Sequence, residues 1–146
     1  MQGYVLAFLF TPDRDKVWLI RKQKPSWQVG CLNGIGGKLL DPDEPPIDAI
    51  VRELKEETDL TILPEDLYEV GVIKSDYHDQ NGFFISVYAG TTTAELRTME
   101  IEEVGLYDLN ALPSEKTIPN LKVLVEACLY KLENETGFFK IVMLYE

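Results

Sequence analysis

Three glutamates within five residues, Glu53, Glu56 and Glu57, are the groups whose spacing first points to chemistry. At i, i+3 and i+4 their carboxylates share one face of any helix that carries them. Like charges so placed destabilise a helix by roughly a few tenths of a kcal/mol per pair. A hard divalent cation would turn that repulsion into attraction. Oxygen ligands with no His or Cys beside them favour Mg²⁺ or Mn²⁺ over zinc. A plain solvated acidic face is the competing reading of the three glutamates taken alone.

The elements that must position them follow from apolar spacing. Asp43 to Thr58 reads as a helix, with Asp43 or Glu44 as cap and Pro45 in its first turn. Ile47, Ile50, Val51 and Leu54 recur at helical spacing and form a buried stripe that turns the glutamates outward. Upstream, Tyr4 to Phe10 and Lys16 to Arg21 read as neighbouring strands, Lys22 to Asn33 as a loop, and Gly34, Gly36 and Gly37 as a flexible turn. Downstream, Tyr68 to Ile73, Phe83 to Ala89, Glu103 to Leu109 and Phe138 to Tyr145 read as strands, with a polar turn around His78 to Gly82. Pro119 to Leu132 reads as a second amphipathic helix, with Leu121, Leu124, Val125, Cys128, Leu129 and Leu132 on one face. Two helices among such strands imply an α/β (α+β) fold, a mixed β-sheet flanked by helices on both faces.

The segment around the glutamates resembles the Nudix hydrolase family, whose box runs G-x5-E-x7-R-E-U-x-E-E-x-G-U, with U a bulky aliphatic residue. Gly37, Glu44, Arg52, Glu53, Leu54, Glu56, Glu57 and Leu60 match it by type, and Glu44 stands the family's distance before Arg52. Val104 to Pro113 also resembles the strand and loop that follow in this family. There are two departures. Six residues separate Gly37 from Glu44 instead of five, so Asp43 is an alternative occupant of the first acidic position. Asp59 replaces the glycine that ends the box helix in a left-handed conformation, and its charge opposes the helix dipole.

The resemblance implies a Nudix-type α/β/α sandwich over a single domain, residues 1–146, and a MutT-like pyrophosphohydrolase. It implies that Glu53, Glu56 and Glu57, with the carbonyl of Gly36, hold Mg²⁺ or Mn²⁺, and that Arg52 orients the acidic cluster. The resemblance further implies a general base at Glu56 or Glu57, with Glu103 as second choice; solvation is the plainer reading of Glu100, Glu102 and Glu103. Trp27 to Lys38 resembles the oxidised-purine nucleoside triphosphatases of the family, in which an asparagine at the place of Asn33 contacts the base. Asn120 lies near where MutT-type enzymes set a second base-reading asparagine. A carboxamide suits a purine edge, while turn formation at Asn33 and helix capping at Asn120 are the structural alternatives. The expected reaction is hydrolysis of a nucleoside triphosphate, with an oxidised or modified purine as one option, to monophosphate and pyrophosphate. The alternatives are another nucleoside diphosphate derivative, such as a sugar nucleotide or dinucleotide, or a non-catalytic nucleotide-sensing module.

Composition sets the wider bounds. The 146 residues carry 14 Lys and Arg against 25 Asp and Glu, a net charge of −11. Such a surface repels a phosphate backbone, which excludes non-specific nucleic-acid binding and makes an anionic substrate depend on a bridging cation or a local basic patch. Arg21, Lys22, Lys24 and Lys38 are the candidates for that patch. Two cysteines and one histidine provide neither a disulfide framework nor a zinc spacing. The apolar run Tyr4 to Phe10 is too short to span a membrane and lacks a signal-peptide layout. The expectation is a cytoplasmic protein whose partner is a small-molecule nucleotide, not a nucleic acid or a membrane; the sequence leaves a homodimer open.

Overall fold

The computed structural model describes residues 2–75, 82–113, 116–135 and 137–143. Among them the chain forms eight strands: β1 (Gln2–Phe10), β2 (Lys16–Arg21), β3 (Leu32–Asn33), β4 (Ile35–Lys38), β5 (Tyr68–Ser75), β6 (Phe83–Thr91), β7 (Glu103–Asp108) and β8 (Phe139–Met143). Two helices accompany them, α1 (Pro46–Thr58) and α2 (Leu121–Asn134).

β1 is the organising strand. Its apolar residues do not alternate with polar ones because both of its faces are buried. Val5, Ala7 and Leu9 join a core with Ala49, Ile50 and Leu54 of α1, whereas Leu6, Phe8 and Phe10 join a core with Leu121, Leu124, Val125 and Cys128 of α2. Truncating a fully buried side chain such as Phe8 to alanine costs about 3–5 kcal/mol. One edge of β1 pairs in parallel along its whole length with β6, Gln2 facing Phe83 and Phe10 facing Thr91. Its other edge is shared: Tyr4 to Ala7 pair antiparallel with β4, and Leu9 and Phe10 with β2. The sheet runs β3-β2-β1-β6-β5-β8, with β4 on β1 and β7 on β2. One helix covers each face, giving the mixed sheet and α/β/α layering expected from the sequence.

Several local expectations are corrected. Neither Asp43 nor Glu44 caps α1; Pro45 stands at the cap without a side-chain bond, and Pro46 opens the helix, where a missing N–H costs nothing. The glycine turn is instead strand β4, held by its pairing to β1. Asn120 does not cap α2, which starts at Leu121; it adopts a left-handed conformation (φ 68°) with no cap bond. The final strand starts at Phe139 rather than Phe138, and residues 144–146 and the turn at His78 lie outside the described residues.

Candidate active site

The acidic face of α1 is set by what the rest of the helix does. Ala49, Ile50 and Leu54 are fully buried against the sheet, which leaves Glu53, Glu56 and Glu57 off the core-facing side of the helix. Glu53 lies directly against β4: a Cβ on Gly37 would stand 2.5 Å from the Glu53 carboxylate. A side chain at this position would displace the Glu53 carboxylate from its present seat.

Arg52 ties the region together. Its Nε and Nη2 donate to the two oxygens of Glu44 at 3.2 and 3.1 Å, a two-pronged pair. Nη1 donates to Glu53 at 2.9 Å and Glu56 at 3.2 Å, and Nη2 also reaches the Lys38 carbonyl at 3.1 Å. Glu44 further accepts the Leu40 N–H at 2.8 Å. Glu44, not Asp43, thus occupies the first acidic position, and the extra residue is absorbed in the loop before it. Arg52 and the Leu40 N–H hold the Glu44 carboxyl below its usual range. Burial raises Glu53, against the pull of Arg52.

Glu57 is in the most demanding position. Burial, together with the charges of Glu53, Glu102 and Glu100, pushes its carboxyl up to about 8, opposed by Lys22. Its Oε2 is buried and has no hydrogen-bond partner. The surroundings of Glu57 come from the segment before β7: Arg97 N–H donates to the Thr58 carbonyl at 3.0 Å and Met99 N–H to that of Glu57 at 3.2 Å. This wrapping of the end of α1 brings Glu100 and Glu102 beside it.

Among the described residues, no three acidic, thiol or imidazole groups stand close enough to form a ready-made metal cage. Glu53 and Glu56 instead both bond Arg52 Nη1. The donor chemistry nevertheless fits a hard divalent cation: an unpartnered buried carboxylate oxygen at Glu57, with further carboxylates around it.

The other residues singled out from the sequence divide between the two faces of the sheet. Asn33 pairs across β3 with Ile20, whose side chain packs on the α1 side, so Asn33 shares that face. Its Oδ1 accepts the Gly34 N–H at 2.7 Å. Lys24 and Lys38 are exposed in the β2–β3 loop and at the end of β4. Asn120 is exposed just beyond residues 116–118, which bond to Leu32 of β3. Arg21 is not brought to the acidic face: it alternates with Ile20, and its guanidinium donates to the Gly30 carbonyl at 2.7 Å and the Tyr107 hydroxyl at 3.4 Å. Glu103 faces Arg21 across β2 and β7 and therefore shares the α2 side, away from Glu57. Glu102 and Lys22 occupy the α1 side instead. The signal that would have found them is the β2–β7 register, since each lies two residues beyond the α1-facing pair Ile20 and Val104.

A family model described as NUDIX domain matches residues 2–138. No curated protein matches the chain. Solved structures do. The MutT protein of Bacillus halodurans superposes with a TM-score of 0.73 at 16% identity, covering 99% of this chain and 90% of that one. The NUDIX domain of Shewanella oneidensis NrtR, solved with ADP ribose, has a TM-score of 0.72 at 19% identity, covering 89% and 87%. An ADP-ribose pyrophosphatase from Streptococcus suis has a TM-score of 0.64 at 20% identity, covering 97% and 98%.

Proposed function

Because this chain belongs to the Nudix hydrolase family, we propose that it hydrolyses a nucleoside triphosphate to the monophosphate and pyrophosphate, an oxidised or modified purine being one option for the base. The observation that carries the reading is the Glu57 carboxylate, buried and unpartnered at one oxygen among the acidic side chains of α1 and the β7 approach. Glu53, Glu56, Glu57 and the Gly36 carbonyl are the groups that would hold Mg²⁺ or Mn²⁺. When bound, the ion neutralises diphosphate charge and acidifies water.

The protein's own groups have separable tasks. Arg52 fixes Glu44, Glu53 and Glu56 through hydrogen bonds, so Glu53 and Glu56 keep their places on the helix and Glu44 is held beside it from the preceding loop. Glu56 is the most solvent-accessible of the three box glutamates and is suited to take a proton from the attacking water at Oε1, the oxygen Arg52 does not use. Glu57 is the alternative base. Asn33, on the α1 side of the sheet, would read a purine edge with the donor end of its carboxamide, since its oxygen accepts the Gly34 N–H. Lys24, Lys38 and Asn120 are the exposed polar groups left to meet the rest of the nucleotide; Arg21 and Glu103 are less suited, lying on the far face.

The test is a product assay on a panel of nucleotides with Mg²⁺ at alkaline pH. Release of pyrophosphate and a monophosphate from a purine triphosphate supports the reading. Turnover restricted to a nucleoside diphosphate sugar, the class raised by the two ADP-ribose relatives, replaces it with that substrate. Tight nucleotide binding with no turnover makes the chain a sensing module.

A further inference from the structure

Glu102 stands just before β7 with a side chain only 11% exposed, and both of its oxygens are engaged. Oε1 meets Lys22 Nζ at 3.3 Å, and Oε2 accepts the Gln23 N–H at 2.8 Å. Lys22 is also largely covered, at 17%. The two residues continue the row set by Ile20 and Val104, on the side of the sheet that faces α1. Both act electrostatically on Glu57.

The contact joins two parts of the chain that no backbone ladder joins. The strand pairing of β2 with β7 ends at Arg21 and Glu103. Beyond it the loop from Lys22 to Cys31 closes on its own neck: Lys22 N–H bonds to the Cys31 carbonyl and Gly30 N–H to that of Lys22, each at 2.8 Å. Inside that neck, Cys31 N–H bonds to the Gln28 carbonyl at 2.8 Å. These bonds shape the loop but do not seat it on the site. The pair of bonds to Glu102 does, and a mostly covered carboxylate is costly to leave without its cation and N–H partners.

We propose that Glu102 is a positioning residue, which latches the Lys22–Cys31 loop beside the acidic face of α1 and so sets affinity for the nucleotide without taking part in bond cleavage. The affinity readout rests on the pyrophosphohydrolase reading; the latch itself does not. With both oxygens committed, Glu102 is poorly suited to act as general base, although it stands, with Glu100, among the carboxylates around Glu57.

The test is a graded series. Glu102→Gln keeps an acceptor for the Gln23 N–H and loses the ionic contact; Glu102→Ala loses both. Amide exchange, read without metal or nucleotide, should quicken about tenfold or more at Gln23 in Glu102→Ala and less in Glu102→Gln, while Gly30 and Cys31, bonded within the loop, keep their protection. In kinetics, KM for the preferred nucleotide should rise about tenfold with kcat within about threefold of wild type. A melting curve for each variant shows that it is folded, and Glu102→Gln still reports if Glu102→Ala is not. A collapse of kcat at unchanged KM would put Glu102 in the chemistry and overturn the proposal. Unchanged exchange at Gln23 would overturn the latch. Failure of the wild-type protein to hydrolyse any nucleotide overturns the activity reading alone, since amide exchange still decides the latch.

Discussion

In the unfolded chain the Glu57 carboxyl titrates near its ordinary 4.5, whereas in the metal-free fold it is pushed up to about 8. Between those values the folded chain retains a proton that the unfolded chain has released. The stability of the metal-free protein therefore falls as pH rises from about 4.5 through about 8, and levels off beyond. Glu57→Gln has no such titration. In excess chelator at about pH 9 this variant should melt several degrees above wild type. The same substitution should reduce kcat with Mg²⁺ by about 10²-fold or more. A variant that melts no higher than wild type under chelation, or that turns over normally, contradicts the role assigned to this carboxylate. Asn33→Ala makes a second residue-scale test. If Asn33 reads the base, kcat/KM should fall for the preferred purine nucleotide by about 10-fold and little for a pyrimidine one. If its bond to Gly34 is its whole purpose, all nucleotides should suffer alike and the melting temperature should drop.

At the scale of elements, the fit of α1 against β4 depends on the absence of a side chain. Gly37→Ala sets a methyl group into the Glu53 carboxylate. The expected result is a folded protein with weakened Mg²⁺ dependence, read as a severalfold rise in the Mg²⁺ concentration for half-maximal rate; an unchanged value would show that Glu53 has room to shift. The other end of α1 carries Asp59 in a left-handed conformation (φ 61°), where a side chain is strained. Its carboxylate accepts Lys55 Nζ at 2.9 Å, which answers its conflict with the helix dipole. Asp59→Ala keeps the strained Cβ and loses the ion pair, so it should melt about 2–4 °C below wild type, with Asp59→Gly above Asp59→Ala. The reverse order would show the backbone strain to be negligible.

These elements also show what could and could not be read from the sequence. α1, α2 and the glutamate face were legible because helical spacing repeats within a few residues. So was β1, as a buried strand. The parity of β2 was not. Val17 to Ile20 are apolar at every position because both faces are covered, and a run without alternation cannot say which neighbour points where. The sequence therefore sets Arg21 beside Lys22 in one basic patch and singles out Glu103 rather than Glu102, whereas the register assigns Arg21 and Glu103 to one side and Lys22 and Glu102 to the other. β4 reads as a turn for a related reason: a strand of Ile-Gly-Gly-Lys has little propensity of its own and exists through its pairing with β1.

For the whole molecule the decisive quantity is the net charge of −11. Nucleotides are anionic, so their approach is opposed at long range. Raising ionic strength from about 0.01 M to about 0.15 M shortens the screening length from roughly 30 Å to roughly 8 Å. At saturating Mg²⁺ and limiting nucleotide, kcat/KM should rise severalfold across that range; a fall would reveal a local cationic field that outweighs the global one. Activity should also vanish in excess chelator and return with Mg²⁺ or Mn²⁺, and full turnover in chelator would remove the metal from the mechanism. No helix among the described residues is long and apolar enough to cross a membrane.

The parallel pairing of β1 with β6 has a consequence for how the chain is made. During synthesis β1 emerges some seventy residues ahead of the strand that covers its longer edge. At translation rates of roughly 5–20 residues per second, that interval is roughly 4–14 s. Throughout it the run Val5 to Phe10 has no β6 to pair with and no α2 to cover Leu6, Phe8 and Phe10. A short, uncharged apolar strand with a free edge is a substrate for chaperones and a nucleus for co-translational aggregation. The strand that unifies the finished sheet is thus also one that waits, half covered, while the rest of the chain is made.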